Sequence, residues 1–314
     1  MPAEILTLTL NPAVDGSCET DVVRHTHKIR TTNERYEAGG GGINVARVLA
    51  RLGSPVRACY LAGGLTGALL DSLMDQSGIA RTTVPTADVT RMSHAVYERS
   101  SGKEYRFVPE GPHVSEAEWR AALDAVEAAD FDMLVASGSL PPGIADDFYA
   151  RLTDVVRGKG ARLILDSSGP ALAQAVARGG LMMIKPSRGE FAALMGRDFA
   201  GVDDVGQAAC GLVRQGAAEL VVVTIGHEGA LLADANGYVH RVPPQVPVRS
   251  ATGAGDSFVA GMTHKLAEGW PPSRAFLYGV AAGSASVLTP GTGLCHLPDV
   301  ERLFAQMEAE QRPS

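Results

Sequence analysis

A chain of 314 residues with 45% hydrophobic content can bury a full core, as one large α/β domain with an appendage or as two domains, and nothing in it suggests disorder. A net charge of −7 argues against nucleic acid as a partner and means that an anionic substrate needs a local basic pocket rather than a general field. No apolar stretch is long enough to span a bilayer, Met1 to Ile5 lack the basic start of a signal peptide, and Cys18, Cys59, Cys210 and Cys295 are scattered without metal-ligand spacing, so a cytoplasmic protein with reduced thiols is expected.

In chain order, Thr7 to Leu10 is a strand-like run followed by Asp15. Residues 16–36 then break the rhythm, and Gly39-Gly40-Gly41-Gly42 leads into Ile43-Asn44-Val45-Ala46. Four consecutive glycines are costly in entropy unless something must approach the backbone, so a tight ligand contact is expected here. The helical pattern Val45, Val48, Leu49, Leu52 that follows ends at Gly53. Residues 89–109 interrupt the pattern again: Ala95 to Arg99 and Glu104 to Val108, joined through Ser100-Ser101-Gly102, read as a hairpin.

Beyond it, Met133 to Ala136, Leu163 to Leu165, Met182 to Ile184 and Leu220 to Val223 read as buried strands between amphipathic stretches. That alternation implies an α/β fold with a mainly parallel sheet covered by helices on both faces. Ligands on such sheets bind beyond the carboxyl ends of the strands, where Gly138-Ser139, Asp166, Lys185 and Thr224-Ile225-Gly226 stand. Near the end, Ser250 to Phe258 runs into a helical pattern of Phe258, Met262 and Leu266. Gly253 and Gly255 leave amides unshielded at the first turn, an anion site by the unpaired N–H groups and the helix dipole, and Asp256 puts a carboxylate beside it. Glycines and an Asp before a helix also serve purely structural ends.

Gly39 to Asn44 and Thr252 to Asp256 resemble the two signatures of the ribokinase (PfkB) family of carbohydrate kinases, and the likeness extends over nearly the whole chain. Thr7 to Asp15, Glu104 to Phe107, Ser137 to Gly143, Asp166 to Gly169 and Gly279 to Ala285 are similar to a subgroup acting on fructose 6-phosphate. The resemblance implies a ribokinase-like core formed by residues 1–15, 37–88 and 110–314, with residues 16–36 and 89–109 as a small β-sheet lid that packs against a second copy to make a homodimer. It implies ATP-dependent phosphorylation of fructose 6-phosphate to fructose 1,6-bisphosphate; 1-phosphofructokinase and tagatose-6-phosphate kinase activities share every motif, and a non-catalytic sugar-phosphate sensor is the reading outside the enzyme class.

By the same resemblance Asp256 is the base, with the backbone of Gly253, Ala254 and Gly255 as anion hole. An ordinary carboxylate pKa of about 3.9 is expected for it. Asp15, Gly39, Gly40 and Asn44 are assigned to the sugar, Arg91 and Arg106 to its phosphate with Ser139 adding a contact, and Lys28 and Arg30 are lid residues that reach across a dimer. Lys185, Thr224, Gly226 and Gly229 match positions lining ATP. Ser187 departs from the family, which has Asn there, whereas Glu190 is retained; both are assigned to Mg²⁺, Glu190 through water. Ser250, Thr252, Ser286, Thr289, Gly291 and Gly293 match loops that hold K⁺, with Gly293 in place of a basic residue.

Overall fold

The structure is a computed structural model that describes residues 3–291 and 293–310. It begins with β1 (Ile5–Thr9), β2 (Ala13–Thr20), β3 (Thr32–Gly39), α1 (Gly41–Arg51), β4 (Val56–Ala62), α2 (Gly64–Ser77) and β5 (Ala80–Pro85). A hairpin of β6 (Arg91–Glu98) and β7 (Lys103–Phe107) precedes α3 (Glu116–Ala128), β8 (Met133–Ser137), α4 (Phe148–Gly158), β9 (Arg162–Asp166), α5 (Gly169–Arg178), β10 (Leu181–Ile184), α6 (Arg188–Met195), α7 (Val202–Arg214) and β11 (Ala218–Thr224). The chain closes with β12 (Ala230–Asp234), β13 (Gly237–Arg241), α8 (Ala254–Ala267), α9 (Pro272–Ser286) and α10 (Leu297–Glu310).

Among the described residues nine strands form one sheet in the order β13-β12-β11-β10-β9-β8-β1-β4-β5. From β11 to β5 every pairing is parallel; β12 and β13 add an antiparallel edge. The four apolar runs expected to be strands are β8 to β11. Their two-residue alternation fills both faces of the sheet: Leu134 and Ala136 enter the core under α3 to α7, whereas Met133 and Val135 enter the one under α1 and α8 to α10. A fully buried Leu or Val contributes about 1.5–3 kcal/mol, so a register slip that exchanged these faces would be costly.

The strand order reverses between β1 and β8. The chain builds outward through β4 and β5, returns, and builds the other way from β8 to β11, which opens a crevice at their carboxyl ends. Helices α8 and α9 pack closely against each other: a Cβ on Gly261 would stand 2.6 Å from that of Ala282, too near for any larger residue.

The second sheet, β3-β2-β6-β7, pairs β2 with β6 in parallel and β2 with β3 and β6 with β7 antiparallel. Ala95 to Arg99 and Glu104 to Val108 do form a hairpin. The sheet reaches further toward the core than residues 16–36 and 89–109, since β2 starts at Ala13 and β3 runs to Gly39. Asp15 is therefore a residue of this sheet. The first five residues of β3 are exposed while Ala38 and Gly39 are buried, so the sheet has a solvent-facing tip and a root in the crevice. Its tip is held by Glu98, whose buried carboxylate accepts from Val23 N (2.7 Å), Tyr105 Oη (3.1 Å) and Ser101 Oγ. Among the described residues no helix is long and apolar enough to cross a membrane.

Candidate active site

Strand ends bring the polar residues together. Ser137, Asp166 and Thr224 are the last residues of β8, β9 and β11, Lys185 follows β10, and α1 and α8 start above them. With the root of the small sheet they enclose a cavity of about 460 Å³.

Gly253 caps α8 with φ of +75°, a left-handed conformation that glycine adopts without strain, and so aims the first turn at the cavity. Asp256, in that turn, keeps some surface open to the cavity and is enclosed by protein elsewhere. Asn44 Nδ2 donates to its Oδ2 at 2.9 Å. Burial, reinforced by the charge of Asp166 and to a lesser extent Asp15, pushes the Asp256 carboxyl up to about 6 against the pull of Asn44 and Lys185. The ordinary value expected from sequence is thus corrected: a base on an exposed first turn titrates near 4, but this one lies among carboxylates with little water to solvate it.

Lys185 is the cation beneath that turn. Its ammonium is 3.1 Å from Asp166, with the Lys side chain only 7% exposed, and it lies 3.5 Å from where a Cβ on Gly255 would stand. Burial works against its charge, yet Asp166, Asp256 and Glu190 together hold its pKa above the usual value. Burial pushes Asp166 upward while Lys185 opposes it; the 3.1 Å contact is that of an ion pair, so the ionised form is the one this geometry holds.

On the opposite wall, Asp15 takes a short hydrogen bond from Ser93 Oγ. Burial raises its pKa, opposed by Ser93 and by Arg106, Arg91 and Arg47. A Cβ on Gly39 would collide with this carboxylate, and one on Gly41 or Gly42 with Ser137 or the Leu8 carbonyl; Gly40 has φ of +105°. The close approach expected of the glycine run is accordingly met by the protein's own chain, while Gly40 and Gly41 also line the cavity.

The two arginines differ. Both line the cavity, but among the described residues the Arg106 guanidinium makes no hydrogen bond, whereas Arg91 donates to the carbonyls of Pro109 (2.7 Å), Asn11 (2.8 Å) and Pro12 (3.4 Å) and so also ties down the sheet's root. Ser139 lines the cavity and accepts from Asn11 Nδ2 at 3.2 Å. Glu104 reaches across to Thr252, whose Oγ1 donates to it at 3.4 Å, so the small sheet touches the loop that precedes α8.

Some expected residues lie elsewhere. Lys28 and Arg30 are exposed in the β2–β3 connection and do not line this cavity. Thr224 lines it, but Gly226 and Gly229 do not; they shape the turn after β11, where a Cβ on Gly229 would collide with the Arg241 carbonyl. Ser187 and Glu190 both line the cavity. They also form a capping box, with Ser187 N–H donating to Glu190 Oε2 at 2.7 Å and Glu190 N–H to Ser187 Oγ at 3.3 Å. The spacing Ser-x-x-Glu before an apolar run was a readable cap signal. It accounts for a Ser at this position without any metal, although Glu190 Oε1 leaves an acceptor for a hydrated Mg²⁺.

Beside the start of α8, Ser286 Oγ is buried and, among the described residues, without a partner, 3.8 Å from where a Cβ on Gly253 would stand, with the Gly293 carbonyl at 4.0 Å from the same point. Ser250 is buried, and its Oγ accepts from Thr252 N–H at 3.2 Å. A hydroxyl and a carbonyl near one another fit the oxygen donors a monovalent cation takes. Thr289 and Gly291 belong to the same loop.

Asp166, which the strand-end rule already places beside the crevice, lines the cavity together with Ser93 and Ser137, and Arg47 acts on Asp15 through its charge. Ser93 and Arg47 have no signal in the sequence, since strand pairing within the small sheet and a helix-to-sheet contact place them.

A crevice at a strand-order reversal, with a carboxylate and a lysine at a helix N-terminus and a second carboxylate on a covering sheet, defines a small-molecule kinase of the α/β class. The chain belongs to the pfkB family of carbohydrate kinases, whose family model matches residues 9–300. It is 41% identical over 304 residues to ATP-dependent 6-phosphofructokinase isozyme 2 of Escherichia coli (96% of this chain, 98% of the relative) and 43% identical to that of Mycobacterium tuberculosis (96% and 88%). It is also 30% identical to 1-phosphofructokinase of Borreliella burgdorferi (98% of each chain). Among solved structures, phosphofructokinase-2 of E. coli in complex with potassium superposes with a TM-score of 0.94 at 41% identity (98% and 99% coverage), and the same protein in complex with fructose-6-phosphate with 0.92 at 40% (98% and 99%).

Proposed function

We propose that this chain is an ATP-dependent 6-phosphofructokinase that converts fructose 6-phosphate to fructose 1,6-bisphosphate. The observation that carries the chemistry is Asp256, a carboxylate of raised pKa in the first turn of α8 over Lys185. The relatives' names support the choice of sugar.

In this reading Asp15 accepts hydrogen bonds from the sugar hydroxyls and Arg106 holds the 6-phosphate, with Ser139 beside it. Gly39 leaves room for the Asp15 carboxylate, Gly40 lets the chain turn under the sugar, and Arg91, on the same wall, keeps it in place. The proton of the 1-hydroxyl passes to Asp256 as its oxygen bonds to the γ-phosphorus in line, and the bond from that phosphorus to the β–γ bridging oxygen breaks to release ADP. The amides of Gly253 to Asp256 and the Lys185 ammonium take up the charge that develops. A base titrating near 6 accepts a proton more readily than an ordinary Asp while remaining ionised at neutral pH.

Thr224 and the turn at Gly226 and Gly229 form the nucleotide side. Glu190, with Ser187 beside it, would hold Mg²⁺ through water, and Ser250, Thr252, Ser286, Thr289, Gly291 and Gly293 would hold K⁺. These cations, when bound, neutralise phosphate charge and brace the α8 loop. The small sheet and its β2–β3 connection leave Ile29, Tyr36, Tyr97 and Phe107 exposed, apolar surface that a second copy would cover, and this supports a homodimer through the lid that brings Lys28 and Arg30 to the neighbouring site.

An ADP-release assay over fructose 6-phosphate, fructose 1-phosphate, tagatose 6-phosphate and free fructose tests the reading. Highest kcat/KM is expected on fructose 6-phosphate. Preference for fructose 1-phosphate would overturn the assignment of substrate, and no turnover on any sugar would overturn the assignment as an enzyme.

A further inference from the structure

Asn44 lies in the first turn of α1, 8% exposed, and its side-chain amide reaches α8. The contact of Nδ2 with Asp256 Oδ2 at 2.9 Å joins two residues 212 positions apart at the base of the cavity. The backbone on both sides of it is tied. Asn44 N–H donates to the Gly40 carbonyl at 2.9 Å, and one turn on, Arg47 donates to the Ala38 carbonyl and to Glu37 Oε1, each at 2.8 Å. An amide on such a fixed helix has little freedom to leave its partner.

The surroundings of Asp256 make this contact matter. Asp166 approaches from β9, Lys185 from the end of β10 and Asp15 from β2, so two carboxylates and one ammonium face it. The ammonium is already paired with Asp166. Asn44 is thus the neutral donor that contacts the carboxylate directly, and it occupies one oxygen, leaving the other to receive a proton.

We propose that Asn44 is the positioning residue of the base: by donating to Oδ2 of Asp256 it fixes the rotation of that carboxylate, presents Oδ1 to the acceptor hydroxyl and keeps the group ionised among its acidic neighbours. This role stands beside any contact of Asn44 with the sugar, and its bearing on catalysis rests on the kinase reading. The proton balance is simple: the acceptor O–H breaks, Oδ1–H forms, and the Asn44 amide gives up no proton.

The test reads the carboxyl group itself. In full-length protein carrying ¹³C at Asp side-chain carboxyls, the signal missing from Asp256→Asn identifies Asp256, and its pH titration is followed in the parent, in Asn44→Leu and in the smaller Asn44→Ala. Loss of a donor to the ionised form moves the Asp256 midpoint up, by about one pH unit in Asn44→Leu. Asn44→Ala, which removes the donor without adding charge, moves it in the same direction and carries the test if Asn44→Leu does not fold. The acid limb of the kcat profile follows the same shift. A midpoint that stays in place or falls in the folded variants, with only the sugar KM raised, overturns the proposal and leaves Asn44 a sugar ligand alone. Because the titration needs no turnover, its outcome is separate from whether the chain phosphorylates fructose 6-phosphate.

Discussion

The floor of the cavity and the sheet above it are organised by opposite means. On the floor Asp256, Asn44, Lys185 and Asp166 satisfy one another within a buried cluster, so their protonation follows from what surrounds them. In the small sheet the polar contacts are spread along a thin two-faced layer, and apolar side chains along it remain open to solvent. A buried polar cluster is stiff because each member would lose a partner by moving, whereas a sheet with one uncovered face is completed by what docks on it. The two regions should therefore respond differently to mutation: floor variants alter rate and pH dependence, and lid variants alter substrate affinity and self-association.

Asp256→Asn should break the floor most severely. With shape kept and the proton acceptor removed, kcat is expected to fall on the order of 10²-fold or more while both substrates still bind, measured by steady-state kinetics and by calorimetry. In the parent, kcat should drop as pH falls through about 6, where Asp256 becomes protonated. The same shift has a stability consequence of definite sign. A carboxyl whose folded-state pKa is raised favours the native state fully below its unfolded value and loses that contribution as pH rises through the folded value of about 6. Asp256→Asn should then be more stable than the parent at pH 7.5, by about 3 kcal/mol, and should lose that advantage near pH 4 in denaturant titrations.

A smaller effect separates two arginines of the lid. Removal of the charge-assisted contact from Arg106→Ala should raise KM for fructose 6-phosphate about tenfold, the lower end for such a bond because the side chain is exposed, with KM for ATP little changed. Arg91→Ala should additionally lower the melting temperature, since three carbonyls at the root of the sheet lose their donor. Identical behaviour of both variants would erase the distinction between a ligand-facing and a structural arginine.

Phe107→Ser tests the open face. Sedimentation should show self-association weakened by about tenfold, as expected for loss of about 1.4 kcal/mol of apolar burial, with the Asp256 titration unmoved. A parent that is monomeric would show that the exposed apolar residues have another purpose.

Ser187 gives the smallest change. Ser187→Ala removes the cap of α6 and should lower stability by about 1 kcal/mol, whereas Ser187→Asn, another good cap, should not. If Ser187→Asn also lowers the Mg²⁺ concentration giving half-maximal rate, the position tunes the metal as well as the helix. An unchanged Mg²⁺ curve would leave the cap as its whole role.

Periodicity and punctuation determined much of this protein by themselves. The four apolar runs became β8 to β11, the hairpin joined Ala95–Arg99 to Glu104–Val108, and the glycines before α1 and α8 marked both helix starts, because strand alternation, helix spacing and backbone freedom are local properties. Local rules could not show that Asn44 meets Asp256 across 212 residues, that of two cavity-lining arginines Arg91 is bonded to carbonyls and Arg106 is not, or that Ser93 reaches Asp15. Those contacts depend on the order in which strands assemble and on which helix crosses which strand end. The pKa of Asp256 depends on them in turn, since the field at a buried carboxylate is the sum of charges that only tertiary packing brings near.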